Sequence, residues 1–229
     1  MDASPPPTDL HYWMQALLST ESPLLPWPWL ERLYLSAGWS AVLGASAAWL
    51  LQRWWLSAQG RGQSSKAWAL GLPAVLALSC WLPGTLSPAY WLGLAFRAPS
   101  LVFTLLCALV LWRHYRMQWA APLPLNMWRP WGLAGVLLGW VLLLDAFALW
   151  PVSLYAVGFA PLALGVMVAL GLLPWLLRGA WPPSALLVLA CVLFVALRLP
   201  SGNLWDALMD PLLWLLLQVS SLRRLVRRH

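Results

Sequence analysis

Of the 229 residues, 62% are hydrophobic and 9% are charged, whereas a soluble globular domain has roughly 45–50% apolar and about 25% charged residues. A water-soluble fold of this size has too small an interior for so many apolar side chains. The formal net charge of +7 does not indicate a nucleic-acid partner, because nucleic-acid binding needs a contiguous basic face or a recognition module. The basic residues lie instead in short clusters at the ends of apolar segments. The composition therefore predicts an integral membrane protein.

The N-terminal segment differs in composition from the apolar blocks that follow it. It opens with Asp2, three prolines at 5–7 and Asp9, so it lacks the basic start of a secretory signal peptide and we expect it to be retained. Between Thr8 and Leu18 apolar residues recur at helical spacing, with Thr8 as the N-cap. Because this stretch is too short to span a bilayer, we predict an amphipathic helix in the membrane interface. The alternative is an unstructured tail.

The rest of the chain consists of apolar blocks of about 17–25 residues, the length that crosses a bilayer as a helix. Short polar, proline-rich or arginine-bearing breaks separate the blocks. The predicted fold class is an all-α polytopic transmembrane bundle with seven spans: Trp29–Trp55, Ala67–Leu82, Pro88–Trp112, Trp131–Leu149, Leu154–Leu177, Pro182–Leu197 and Leu204–Leu222. Neither an internal repeat nor the matched broken helices of an inverted-repeat transporter is visible. Gly135 and Gly139 form a G-x-x-x-G motif, which favours close packing inside the bundle over dimerisation.

The distribution of charge predicts the orientation, because cytoplasmic loops of membrane proteins carry an excess of Lys and Arg. With the N-terminus outside, 11 of the 14 basic residues are cytoplasmic: Arg53, Arg61, Lys66, Arg113, Arg116, Arg129, Arg178, Arg223, Arg224, Arg227 and Arg228. All seven acidic residues lie outside or in the outer half of a span: Asp2, Asp9, Glu21, Glu31, Asp145, Asp206 and Asp210. The predicted organisation is a periplasmic or interfacial segment at 1–28, a transmembrane bundle at 29–222 and a basic cytoplasmic tail at 223–229.

The residue usage indicates the source and the location. The chain has no isoleucine and one lysine, Lys66, but abundant Leu, Ala, Trp, Pro and Arg. This bias is typical of a GC-rich bacterial genome, so we predict a multi-pass protein of the bacterial inner membrane. The 20 tryptophans lie mostly at span ends, where the indole ring favours the headgroup boundary.

A second interpretation assigns some of the aromatic residues to binding. The candidate outer aromatic surface, suited to stacking against a carbohydrate, is Tyr90, Trp91, Trp150 and Tyr155.

Ionisable groups inside spans are candidates for function, because each costs about 2.5–3.5 kcal/mol near the bilayer centre on insertion scales. Arg97 lies within the third predicted span, beside Pro99, which invites a kink. Asp145 lies about one turn from the outer end of the fourth span, and we predict an ion pair between it and Arg97. The candidate polar cluster is Arg97, Asp145, Arg198, Asp206 and Asp210. It forms either structural ion pairs that hold helices together, a proton or ion relay, or a site for a lipid headgroup or lipid-linked substrate.

Several chemistries are excluded by the motifs. Cys80, Cys107 and Cys191 lie in three different apolar blocks without metal or redox spacing, so we predict small core residues. None of the three histidines lies inside a predicted span, which argues against a haem held by paired histidines. No Ser/His/Asp set, H-E-x-x-H motif or phosphate-binding loop occurs. We therefore predict no catalytic residues, no metal and no cofactor.

The short loops leave no room for a soluble catalytic domain. The leading hypothesis is a non-catalytic membrane subunit that anchors or organises a larger inner-membrane complex, respiratory or of the cell envelope. Its expected partners are membrane lipids and other membrane protein subunits. The first alternative is a transporter or channel for a small solute or ion that uses the polar cluster. The second is an enzyme acting on a lipid-linked substrate, with Asp145 or Asp210 as base.

The topology is testable with reporters at both ends. A reporter fused after His229 should be cytoplasmic, and a tag placed before Asp2 should be accessible from outside intact spheroplasts, because basic loops stay on the cytoplasmic side. Protease protection of the two tags measures this directly. If both tags report the same side of the membrane, the number of spans is even and the predicted orientation is wrong.

Overall fold

A computed structural model describes residues 25–55, 63–116, 125–149, 151, 153–178 and 181–226. These residues form ten α-helices and no strand, which confirms the all-α fold class for this part of the chain. The helices are α1 (Pro28–Leu50), α2 (Gln63–Ser79), α3 (Pro88–Phe96), α4 (Leu101–Tyr115), α5 (Leu125–Ala146), α6 (Leu154–Val157), α7 (Pro161–Arg178), α8 (Trp181–Leu197), α9 (Leu204–Leu208) and α10 (Pro211–Val226). The interfacial helix predicted between Thr8 and Leu18 lies outside the described residues.

One described helix is long and apolar enough to cross a membrane. It covers Pro28–Arg53, that is α1 and part of the π-helical turn Leu51–Trp55 that continues it. Four other apolar helices are too short to count as candidate spans by the same length requirement: Leu101–Tyr115, Pro130–Ala146, Pro161–Leu176 and Pro183–Leu197. The count of seven spans therefore stays a prediction.

The helices are short partly because three predicted spans are interrupted. The third divides into α3 and α4, the fifth into α6 and α7, and the seventh into α9 and α10. Each of these three predicted spans therefore consists of two helices. Pro161 and Pro211 are the first residues of α7 and α10, a position where proline loses no intrahelical hydrogen bond. In the fifth and seventh spans proline therefore starts a new helix, whereas in the third span, where a kink at Pro99 was predicted, α4 begins at Leu101.

Helices α1 and α4 form the centre of the bundle. Helix α1 packs against α2, α3 and α4, and α4 also packs against α8 and α9. Helix α7 packs on α8, and α5 packs on α10 and α8. Buried apolar residues fill the spaces between these helices in two clusters, one around Leu204 and Phe194 and the other around Trp39 and Phe103. All three cysteines are buried and free, which confirms their prediction as core residues.

The G-x-x-x-G motif of α5 packs against α10. A Cβ added at Gly135 would lie 2.7 Å from Leu217 Cδ1, and one added at Gly139 would overlap the indole of Trp214. The indole N–H of Trp214 donates a hydrogen bond to the Val136 carbonyl, at 3.2 Å. This confirms that the motif serves packing within the chain.

Substitution of Gly139 tests this packing. Gly139→Ala should lower the thermal midpoint in mild detergent, because overpacking a tight contact costs about 1–3 kcal/mol. The matched control is Gly165→Ala in α7, where an added Cβ meets nothing within 4 Å and where alanine raises helix propensity. Equal melting of the two variants would contradict the assigned contact between α5 and α10.

Candidate functional site

The interruption between α3 and α4 is stabilised by side chains of α1. Arg97 ends α3 with a positive φ of 61°, so the carbonyls around it cannot bond within a helix. The indole N–H of Trp39 donates to the Arg97 carbonyl at 3.0 Å, and the Tyr34 hydroxyl donates to the Pro99 carbonyl at 2.8 Å. Gly38 lets α1 approach this closely, because a Cβ there would lie 2.7 Å from Pro99 Cγ.

Asp210 joins this interruption to the one between α9 and α10. Its Oδ2 accepts a hydrogen bond from the Ser100 amide at 2.8 Å, and its Oδ1 accepts one from the Leu213 amide at 2.9 Å. Ser100 is the N-cap of α4, and its own hydroxyl accepts from the Phe103 amide at 3.2 Å. One carboxylate therefore satisfies N–H groups at the starts of two helices, where the helix dipole also favours negative charge. We call Tyr34, Trp39, Ser100 and Asp210 the break network.

Asp145 performs a similar function at the start of α6. Its Oδ1 accepts from the Leu154 amide at 2.9 Å, and its Oδ2 accepts from the Tyr155 amide at 2.7 Å. The Ser153 hydroxyl lies 3.4 Å from the same Oδ2, and it caps α6 by accepting from the Ala156 amide at 3.3 Å. Asp145 thus fixes the turn that follows α5.

Asp206 extends these contacts to the first turn of α9. Its Oδ2 accepts a hydrogen bond from the Tyr155 hydroxyl at 2.8 Å and a short one from the Ser201 hydroxyl. Tyr155 therefore links the two carboxylates, with its amide on Asp145 and its hydroxyl on Asp206.

Asn203 completes this second set of contacts from a fully buried position. Its side-chain amide donates to the Tyr155 carbonyl at 2.9 Å, and its Oδ1 accepts from the Trp205 amide at 2.9 Å. The Trp205 indole donates to the Leu154 carbonyl at 2.8 Å. A Cβ at Gly158 would overlap the Asn203 side chain, so only glycine permits this approach. We call Asp145, Tyr155, Asn203 and Asp206 the loop network.

The two arginines of the predicted cluster do not pair with its carboxylates as expected. Between the described residues Arg97 and Asp145 no ion pair is formed, and the Asp145 oxygens are occupied by backbone amides instead. The Arg97 side chain is exposed and lies within electrostatic range of the Tyr155 phenol. Arg198 stacks over the Phe194 ring, with its Cζ 5.4 Å from the ring centroid. The prediction of an Arg97–Asp145 ion pair is therefore wrong, because helix caps are the stronger demand on that carboxylate.

The structure describes three of the four residues of the predicted aromatic surface. Tyr90 and Trp91 form a T-shaped pair with centroids 5.3 Å apart, and both side chains are exposed. Tyr155 packs edge-on against Phe159 and gives its hydroxyl to the loop network. Trp150 lies outside the described residues. Binding of a carbohydrate at this surface stays a prediction.

Several central residues were missed by the sequence analysis. Asn203 carried a usable signal, because Asn followed three residues later by Asp206 resembles a helix N-terminus with an acidic first turn. Ser100 directly after Pro99 was a weaker signal of the same kind. Tyr34 and Trp39 carried no signal, since nothing local indicates that their polar atoms meet carbonyls of another helix.

The chemistry available to the two networks is limited by these hydrogen bonds. All three carboxylates accept protein hydrogen bonds, and Ser184 Oγ is the one buried side-chain polar atom of the described residues without a partner. Within the same residues, no three His, Cys, Asp or Glu side chains are grouped so as to hold a metal ion. No protein-family model, curated protein or solved structure matches this chain.

The role of Asp210 is testable by substitution. Asp210→Ala should lower the free energy of unfolding by about 2–6 kcal/mol, because two N–H groups lose their acceptor and each costs about 1–3 kcal/mol. Asp210→Asn, which keeps one acceptor oxygen, should recover part of the loss. The control is Glu31→Ala at an exposed position of α1. Denaturant titration in mixed micelles measures all three, and an Asp210→Ala variant as stable as the control would contradict the capping role.

Proposed function

We propose that this chain is a multi-pass, non-catalytic subunit of the bacterial inner membrane that anchors or organises a larger respiratory or cell-envelope assembly. The observation that carries the proposal is the use of the polar side chains. In the break network and the loop network, carboxylates, hydroxyls and indole N–H groups bond mainly to the backbone at helix ends. The polar cluster therefore acts as a structural lock.

The cost of open backbone groups in a bilayer explains this use. An unsatisfied N–H or C=O group in hydrocarbon costs several kcal/mol, so interrupted helices persist only where protein or water supplies partners. Asp210 has both oxygens engaged with amides, and so has Asp145. A general base or a proton carrier needs a carboxylate that can change its protonation state without breaking the fold. In both residues the two carboxylate oxygens already accept backbone amides, which favours a capping role.

The outer surface of the bundle supports the membrane and partner assignments. Large apolar side chains are exposed on each of the longer helices outside the centre, among them Leu133, Leu137, Leu170, Leu173, Val192, Val195, Leu215 and Val219. Contiguous apolar surface of this kind marks contact with lipid or with another protein. In the proposed topology, α3 with α4, α6 with α7, and α9 with α10 each make up one crossing.

A second candidate function is transport of a small solute or ion. The three interrupted helices favour it, because discontinuous helices form the substrate and ion sites of many transporters. Arg97 adds an exposed guanidinium beside the interruption between α3 and α4. The engaged carboxylates of Asp145 and Asp210 weigh against this candidate.

Purification distinguishes the two candidates. A tagged chain, extracted from its native membrane in mild detergent, should co-elute with a stable partner identified by mass spectrometry, because the proposal assigns the chain to an assembly. Asp206→Asn should keep that partner, since asparagine preserves an acceptor for the Tyr155 hydroxyl.

A different outcome would favour transport. A monodisperse lone chain that moves a solute into liposomes, with flux abolished by Asp206→Asn, would overturn the subunit proposal.

A further inference from the structure

Asp206 is bonded differently from the other two carboxylates of the networks. Asp145 and Asp210 each have both oxygens engaged with backbone amides. Asp206 accepts hydrogen bonds only through Oδ2, and its donors are the hydroxyls of Tyr155 and Ser201. Within the described part of the chain, its Oδ1 has no hydrogen-bond partner. One carboxylate oxygen of the loop network is therefore available to a ligand.

The Oδ1 of Asp206 is accessible at the surface of the bundle. Among the residues that the structure describes, Ser184 Oγ is the one buried side-chain polar atom without a partner, so the unpartnered Oδ1 is not buried. Tyr155, whose hydroxyl lies 2.8 Å from Asp206, is 40% exposed. A carboxylate oxygen is a strong acceptor for a charged N–H donor, and an aromatic ring attracts a cation to its face. This position therefore suits an ammonium group.

Arg97 adds a positive charge to the same site. Its side chain is exposed and lies within electrostatic range of the Tyr155 phenol. The indole of Trp39 holds the Arg97 carbonyl, which fixes the backbone from which this side chain extends. Between the described residues the guanidinium makes no hydrogen bond and no ion pair. Its planar set of N–H donors matches the oxygens of a phosphate.

The charges of this site favour a ligand that carries both signs. Tyr155 bonds to two carboxylates, those of Asp145 and Asp206, whereas Arg97 is the arginine within its electrostatic range. The carboxylates repel a headgroup that is only anionic, and a simple cation leaves the Arg97 donors unused. A phosphate joined to a primary ammonium satisfies both groups, with the phosphate on Arg97 and an N–H directed at Asp206 Oδ1.

We propose that Arg97, Tyr155 and Asp206 bind the phosphoethanolamine headgroup of a phospholipid in the outer leaflet. This inference rests on the membrane placement in the proposed function. Exposed apolar side chains flank the site, namely Phe96 directly before Arg97 and Leu149 in the turn between α5 and α6. They offer a surface to the acyl chains. The lipid therefore fits the site better than free phosphoethanolamine, which has the same charged groups without acyl chains.

A lipid series on the unmodified chain tests the proposal first. The full chain is purified in a neutral detergent, and lipid binding is measured by native mass spectrometry. Phosphatidylethanolamine should bind about tenfold more tightly than phosphatidylcholine, because a trimethylated ammonium has no N–H to donate to Asp206 and a hydrogen bond to a charged group is worth about that much. It should also bind more tightly than phosphatidylglycerol, which has no ammonium. Equal binding of the three lipids would overturn the proposal.

Two single variants separate the roles of the charged residues. Asp206→Asn keeps an acceptor for the Tyr155 hydroxyl but loses the negative charge, so it should fold and should lose the preference for phosphatidylethanolamine over phosphatidylcholine. Arg97→Gln should weaken binding of both lipids about fivefold, because both contain the phosphate, and should leave their ratio unchanged. If Asp206→Asn keeps the preference for phosphatidylethanolamine, the assigned ammonium contact is wrong.

The matched control removes a different pair of opposite charges. Glu31→Gln/Arg32→Gln changes two exposed residues near the start of α1, and it has the same net charge as Arg97→Gln/Asp206→Asn. The control should bind phosphatidylethanolamine as tightly as the unmodified chain does. Equal weakening by the two double variants would contradict the assigned site, because it would indicate a general effect of surface charge.

Free phosphoethanolamine tests the source of the ligand. At a concentration equal to that of the lipid it should not displace phosphatidylethanolamine, because burial of the acyl chains adds to the affinity of the lipid alone. Displacement would overturn the lipid assignment and indicate a site for a soluble zwitterion. Since the purified chain is assayed without any partner, a failure here is separate from a failure to find a co-eluting subunit.

Discussion

The need to satisfy backbone groups at interrupted helices governs most of this structure. A continuous helix bonds its own amides and carbonyls, but an interruption leaves carbonyls open at the new C-terminal end and amides open at the new N-terminal end. Three of the predicted crossings are interrupted, and side chains remote in sequence supply the missing partners. Tyr34 and Trp39 approach the carbonyls between α3 and α4, and Asp210 accepts the Ser100 amide from 110 residues away. The positions of α1, α4 and α10 relative to one another follow from these bonds.

The helical content was predictable from the sequence, whereas the interruptions were not. Apolar blocks locate helices because burial in lipid or protein needs a long apolar run, and every predicted span contains at least one observed helix. An X-Pro step inside such a run is ambiguous, since proline either kinks a helix or begins a new one. The outcome depends on whether distant groups such as Trp39 can cap the open ends. That information is absent from any local window.

The candidate site was predictable in its residue types but not in its pairing. Asp145, Asp206 and Asp210 were singled out as unusual groups, and the structure places each at a helix end, yet the charge argument joined Asp145 to Arg97. Opposite charges attract whatever the helix register. The sequence alone therefore does not show whether the Asp145 carboxylate binds an arginine or two backbone amides. The structure gives Asp145 the amides of Leu154 and Tyr155. A carboxylate at a helix start gains two short, directed bonds and the helix dipole without fixing a long side chain.

The hydrogen bond between Asp210 and Ser100 can form only late in translation, because the two residues are 110 positions apart. When α3 and α4 leave the ribosome, the Ser100 amide has no acceptor, and its partner is translated 110 residues later. Until then the interruption holds an unpaired donor, which makes the early half of the bundle an incomplete folding unit. Once α10 is in place, the Asp210 carboxylate caps both α4 and α10. A chain cut short before Asp210 therefore lacks the carboxylate that accepts the Ser100 amide in the complete chain.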